Sequence, residues 1–358
     1  MKLNATLLAL LVLAIETFAQ PQSQQEANVI SQRGSLQIQP LYQRWSLDSS
    51  AFSEASSVLS VYQPVSRSAS LSLYGSFGSA SGDVTPLRGL TDVQLSGNYY
   101  LESANLVFSL GVGIPSGKKK LAPDEFLTSI LLTNNVFRLQ VPHFGAGFSL
   151  SPGVIWALPL SDDFVVGLGA TFQYRGPFSP LQNFGTYDPG EEVSGTIGLD
   201  VRVDETSTLS ADVVYTRYGK DKLDGVEALA PGDKVFAALQ FKKYFNMDQL
   251  LFLATYRTKA KAEIAPGFLQ PNQAELFTAY TAHFTDRFAM QFSFEGRFFQ
   301  ETSAPFSGFR LLGAGVTPEF TISDNLTIPL RFKYTYGKGP NDAKLSGIDA
   351  GVGIVLSY

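Results

Sequence analysis

The chain contains no cysteine and only two histidines among its 358 residues. Without cysteine there is no disulfide scaffold, no thiolate metal site and no lipid attachment through a sulfur. Charge is sparse, with Asp, Glu, Lys and Arg making up 16% of the chain and a net charge of −5. Apart from Lys118-Lys119-Lys120 in a predicted loop, no basic cluster stands out, so nucleic-acid binding has no footing. Beyond residue 19 there is no apolar run of 18 residues, which excludes a helical membrane protein. A strand-built membrane protein stays open, because alternating strands average to the near-neutral mean hydropathy seen here. No Pro-, Gly- and Ser-rich linker divides the chain into differently composed parts, so residues 34–358 are read as one large unit.

The first 19 residues read as a cleaved export signal. Lys2 supplies the positive start, Leu7 to Ile15 an apolar run too short to span a bilayer, and Thr17-Phe18-Ala19 a small-residue cleavage site. Residues 20–33 are then expected as a short periplasmic tail. Gln25 to Ile30 is either a disordered segment or a small insert in the lumen.

The dominant signal is alternation with a period of two. In the segment 346–358, Ile348, Ala350, Val352, Ile354, Leu356 and Tyr358 share one phase, while Asp349, Gly351, Gly353, Val355 and Ser357 share the other. In 326–336, Leu326, Ile328, Leu330, Phe332, Tyr334 and Tyr336 alternate with Thr327, Pro329, Arg331, Lys333 and Thr335. The segments 164–175 and 288–298 divide in the same way. A helix cannot generate these patterns, and a strand with lipid on one side and a wet interior on the other does. The apolar faces persist for about 10 residues or more, the length a tilted strand needs to cross a bilayer. Aromatic residues gather at strand ends (Tyr99-Tyr100, Tyr174, Tyr215, Tyr256, Tyr336, Tyr358). Both features set the chain apart from a soluble β-sandwich.

Sixteen strands are read, from 35–45 and 53–63 through 346–358, with fourteen as the alternative because the first two alternate more weakly. Short links such as Glu102-Ser103, Ser161-Asp162, Asp204-Glu205 and Thr285-Asp286 each follow an even-numbered strand. The long links, 79–90, 116–145, 176–191, 219–232, 260–272, 300–307 and 338–345, each follow an odd-numbered one. That phase predicts an all-β fold: a transmembrane antiparallel up-and-down β-barrel with both termini on the short-turn side. The expected setting is the bacterial cell outer membrane, with membrane lipid around the barrel and barrel-assembly machinery acting on the last strand. A monomer is expected, since no apolar patch apart from the lipid-facing one marks a subunit contact.

Gly89-Leu90-Thr91-Asp92, Tyr99-Tyr100 and the run Leu106 to Lys118, which contains Gly111-Val112-Gly113-Ile114-Pro115-Ser116-Gly117, resemble the signature of the phenol meta-pathway (MetA-pathway) outer-membrane barrels. That group is distantly similar to the long-chain fatty-acid and aromatic-hydrocarbon transporter family. The resemblance is strong over about 30 residues and implies passage of small hydrophobic or aromatic solutes. The chain departs from the fatty-acid transporters in having no matching N-terminal plug motif, which puts a hatch mechanism in doubt.

Within the loop 116–145 a short helix is expected, opened by Pro123 with Asp124 and Glu125 in its first turn and closed by Asn134-Asn135. Phe126, Leu127, Ile130 and Leu131 recur at helical spacing and are candidates for a greasy access site. The helix either caps the rim or folds inward to narrow the pore. Glu295, Arg297, Glu319, Arg331, Lys333 and Asp349 share the inward phase of four adjacent strands, and Asp200, Arg202 and Asp212 form a second inward group. Each group is either a selectivity zone or an internal salt-bridge network.

An enzyme is not expected. His143 and His283 have no serine or carboxylate arranged for catalysis, and no metal site or cofactor motif is recognised. The Gly-x-Gly pairs lie in strands with no helix following, so they are not phosphate loops. The expected function is an outer-membrane channel or transporter for small-molecule solutes. The alternative is a closed structural or binding barrel acting through its extracellular loops.

Overall fold

The computed structural model describes residues 33–260, 271–302 and 306–358. The expected signal peptide and nearly all of the tail 20–33 lie outside the described residues. The strands are β1 (Ser35–Leu47), β2 (Ser50–Pro64), β3 (Ala69–Gly82), β4 (Leu87–Leu90 continuing as Val93–Leu101), β5 (Leu106–Ile114), β6 (Ser149–Ser161), β7 (Phe164–Arg175) and β8 (Glu192–Asp204). They continue as β9 (Ser207–Tyr218), β10 (Lys234–Phe245), β11 (Asp248–Lys259), β12 (Gln273–Thr285), β13 (Phe288–Phe299), β14 (Arg310–Ser323), β15 (Leu326–Lys338) and β16 (Lys344–Val352 continuing as Ile354–Ser357).

Each strand pairs antiparallel with its neighbours in sequence, giving a closed 16-stranded barrel. It closes where β1 meets β16, with Leu41 opposite Gly351 and Ser35 opposite Ser357. The chain ends of this seam are tied by Gly34 N–H to Tyr358 O at 2.8 Å and Tyr358 N–H to Gly34 O at 3.0 Å. Closure leaves no unpaired strand edge, the condition a sheet must meet in hydrocarbon.

The two phases of each strand face as the alternation predicts. On β15, Phe332, Tyr334 and Tyr336 are exposed on the outside while Thr335 is buried inside. On β13, Phe292, Phe294 and Phe298 are exposed while Glu295 and Arg297 are buried. Tyr99, Tyr174, Tyr215, Tyr256, Tyr336 and Tyr358 all stand exposed on the outer surface. An exposed belt of large apolar side chains around a closed sheet is the surface of a lipid-facing wall.

Two expected links differ. Strands β1 and β2, the least regular in sequence, are 13 and 15 residues long and are joined by a tight turn at Asp48-Ser49. Asp48 takes a left-handed conformation (φ 49°), and its carboxylate accepts the Lys344 N–H at 2.9 Å. The link 79–90 is mostly strand, because β3 and β4 extend past the rim and leave only residues 83–86 between them. Farther on, Asp224-Gly225 turns Asp221–Leu223 back on Val226–Leu229, and Tyr187–Asp188 joins this hairpin to form a small loop sheet. An Asp-Gly pair with positive φ at both residues is a strong hairpin signal.

Helix α1 (Pro123–Leu132) forms in the longest loop. Pro123 occupies the first turn, where its missing N–H is not needed. The Glu125 carboxylate reaches back to accept the Ala122 N–H at 3.0 Å and holds Lys118 Nζ at 2.6 Å. The helix stops at Thr133, and Asn134 Oδ1 takes the Val136 N–H at 3.0 Å. From there the chain turns into the barrel. Leu132, Val136, Phe137, Leu139, Val141 and Phe144 pack with Trp45, Phe52, Leu87, Phe299, Leu311 and Leu345 of the barrel wall. Burying side chains of this size contributes about 1.5–3 kcal/mol each. The segment after the helix therefore forms an apolar core inside the long-loop half of the barrel, while the helix itself lies beside the 83–86 turn, where Thr128 Oγ1 donates to Thr85 O at 2.9 Å.

Candidate functional site

Three wall side chains hold the loop by its backbone. Gln43 accepts the Gln140 N–H at 2.7 Å and donates to Arg138 O at 3.2 Å. Glu54, fully buried, accepts the Val141 N–H at 3.0 Å. Asp92 is available because β4 breaks at Thr91-Asp92, where Thr91 bonds across to Ser76 and frees the next side chain to turn inward. Its carboxylate takes N–H groups from Gly117 at 2.8 Å, Ala146 at 2.7 Å and Gly147 at 3.1 Å. Position 117 must be glycine, since a Cβ there would run into the Phe144 carbonyl and the Asp92 backbone. The stretch that carries the family resemblance, Asp92 and Gly117 included, thus clamps both ends of the folded-in loop.

The inward charges of β13–β16 gather into one network. Lys333 Nζ lies 3.3 Å from Glu295 and 3.2 Å from Asp349. Arg331 pairs with Asp349 at 3.3 Å and Arg297 with Glu295 at 3.3 Å. Arg297 also donates to Val136 O at 2.8 Å and lies over the Trp45 ring, joining the network to the loop. Arg138, from the loop itself, pairs with Glu275 and stands 3.6 Å from Glu295. Gln43 completes the ring by donating to Asp349 at 3.1 Å.

Glu319 shares the phase but stands apart. It lies opposite Ala289 and Pro329, six residues along β14 from the Gly313 that faces Glu295, and is exposed. Asp200, Arg202 and Asp212 are not drawn together by ion pairing. Asp200 accepts the Ser210 hydroxyl at 2.5 Å, Arg202 lies 3.6 Å from Asp163 in a short turn, and Asp212 abuts Gly198. Of the helix residues, Phe126 is buried in the core, Ile130 and Leu131 pack against it, and Leu127 is exposed.

Sequence reasoning did not single out Arg138, Glu275, Gln43 or Glu54. Arg138 lies in a loop, where no period assigns a direction, and its left-handed backbone (φ 49°) is invisible in composition. Glu275, Gln43 and Glu54 do sit in strands, but their polarity alone gives no hint of a loop arriving to meet them.

The opposite wall has a different character. Arg175 of β7 pairs with Glu192 of β8. Lys259 of β11 and Lys234 of β10 lie 4.7 and 5.9 Å from the centre of the Tyr218 ring. His143 is in the folded-in loop, while His283 sits beside Asp248 at a short-turn end, 3.7 Å from its carboxylate. Among the described residues no group of three or more His, Asp and Glu is arranged to hold a metal.

Below the loop, on the short-turn side, the lumen opens into a cavity of about 370 Å³. Arg138, Arg331, Gln39, Gln140 and Tyr74 line it together with apolar residues of β1, β2, β15 and β16.

No protein-family model and no curated protein sequence matches the chain. Among solved structures it is similar to Pseudomonas aeruginosa OpdQ, with a TM-score of 0.49 and 9% identity over 91% of this chain and 99% of that one. It is also similar to the CymD monoaromatic hydrocarbon channel, with a TM-score of 0.47 and 11% identity over 99% of this chain and 93% of that one. A third likeness is to an outer membrane channel from Pseudomonas putida F1, with a TM-score of 0.42 and 10% identity over 94% of this chain and 100% of that one.

Proposed function

We propose that this barrel is an exported outer-membrane channel or transporter that passes small solutes, with the folded-in loop setting its constriction. One observation carries the reading. Inside a closed sheet with an apolar outer belt, the loop covers one wall with its own core, yet a cavity bounded by charged and polar groups remains beneath it. A barrel that served only as a membrane anchor has no use for half-exposed arginines directed into such a space. Residues 1–19 fit the role as an export signal, and the last strand as the segment handed to assembly machinery. The resemblance of residues 89–118 supports hydrophobic or aromatic solutes, as do the apolar parts of the cavity wall.

The apolar packing of the loop also favours a second reading, a closed barrel that binds ligands without conducting. Planar-bilayer recording of the purified protein separates the two. The channel reading predicts unitary current steps, and steps of larger size after deletion of residues 122–136. A silent bilayer with both proteins inserted would reject it in favour of the closed barrel.

A further inference from the structure

The mixed-sign network is layered. Its carboxylates are sunk into the wall, with Asp349 1% and Glu295 7% exposed at the side chain. Two of its cations stand on top, with Arg331 50% and Arg138 40% exposed. Both arginines line the cavity below the loop, and among the described residues no carboxylate lines it. Four cations (Arg138, Arg297, Arg331, Lys333) are set against three carboxylates (Glu275, Glu295, Asp349). Glu54 is fully enclosed against the loop backbone and does not line the cavity. A network built only to stiffen the barrel gains nothing from turning its positive members toward water and its negative members away.

A guanidinium carries five N–H donors in a planar fork that matches a carboxylate. Arg331 directs one nitrogen at Asp349, and its half-exposed side chain leaves the rest of the fork facing the cavity. Gln140 stands beside the arginines, anchored by Ser56 Oγ donating to its Oε1 at 3.2 Å and by its own Nε2 donating to Gln39 O at 3.0 Å. Leu41, Val58 and Pro329 give the same cavity an apolar side. The volume falls within the usual range of small-molecule pockets, about 300–1,000 Å³.

We infer that the cavity between Arg138 and Arg331 is a binding site for the carboxylate of a small organic acid with an apolar body. The inference deepens the channel reading and rests on it for its route of access. It separates the solute's two ends: the carboxylate on the arginine fork, the hydrocarbon against β1, β2 and β15.

The test compares benzoate with its neutral isostere benzamide. In planar bilayers, benzoate added on the cavity side is expected to block single-channel current at concentrations at least tenfold lower than benzamide. Arg331→Gln is expected to abolish the difference and Arg331→Lys to restore part of it. Gln39→Glu, which places a negative charge at the exposed cavity wall without touching the network, is expected to weaken benzoate block severalfold. Equal block by the two probes, or benzoate block unchanged in Arg331→Gln and Gln39→Glu, would overturn the inference while leaving the channel intact. If the bilayer is silent the channel reading fails, and calorimetry on the detergent-solubilised barrel then decides the site alone. Benzoate binding lost in Arg331→Gln supports it, and no benzoate binding to the wild type overturns it.

Discussion

The two walls of the lumen are built on different principles. From β13 through β16 to β4, inward side chains serve the folded-in loop: Trp45, Phe52, Leu87, Phe299, Leu311 and Leu345 supply apolar contact, while Gln43, Glu54 and Asp92 take up its backbone N–H groups. From β7 to β11, Arg175 pairs with Glu192 and two lysines lie against the Tyr218 ring. The difference shows how a barrel can hold an irregular segment inside its wall. Backbone polar groups of an irregular segment must all find partners, and only a wall furnished with buried acceptors can receive one.

Removing the clamp should break this asymmetry most completely. Asp92→Ala leaves three loop N–H groups short of their acceptor, at a cost of about 1–3 kcal/mol for each that water cannot reach. The expected result is release of both ends of the loop, a severalfold larger conductance and new protease cleavage between residues 117 and 147. Phe137→Ala should act less drastically. The ring packs edge-on against Trp45 and Phe52 at 5.6 and 4.9 Å between centroids, and its loss costs about 3–5 kcal/mol. The loop stays clamped, so thermal unfolding monitored in detergent should fall in temperature while mean conductance changes little.

Acidification offers a graded version of the same break. Enclosure inside the barrel lowers the His143 pKa to about 4, with Asp92 raising it and Arg175 lowering it further. An undocked imidazole titrates near about 6.5. Between these values the released loop binds a proton that the docked loop does not, so docking is strongest above about pH 6.5 and weakens as the pH falls toward about 4. Current noise should rise over that interval, and His143→Gln should flatten the dependence. The smallest effect is expected on the other wall. Tyr218→Leu removes the ring under Lys259, a contact of about 0.5–2 kcal/mol, and should leave the protease pattern of the loop unchanged.

How much of this was legible in the sequence follows from what periodicity can encode. Along most of β13 and β15 the inward residues are polar and the outward ones apolar, so phase alone assigned their faces. On β1 and β2 the alternation is blurred because Trp45 and Phe52 point inward at an apolar loop, and Leu41 and Val58 at the cavity beneath it. Phase also gives the side of a residue but not its depth, which is why Glu319 fell into the charge group although it lies near the far end of its strand. Helix α1 was readable from its proline and its spacing. The segment 133–147 was not, because side chains scattered over β1, β2, β4 and β13 hold it, and such bonds leave no period behind. Asp92 was visible as a motif residue, but its role as a clamp appears only once β4 is seen to break beside it.

The central claim is that adjacent residues of one strand face hydrocarbon and a wet lumen in turn, and the absence of cysteine makes it directly testable. Val316 is on the outer face and Thr317 lines the cavity. In protein reconstituted into liposomes, a water-soluble thiol reagent should label Thr317→Cys readily and leave Val316→Cys protected. Protection of position 317 with labelling of position 316 would contradict the account.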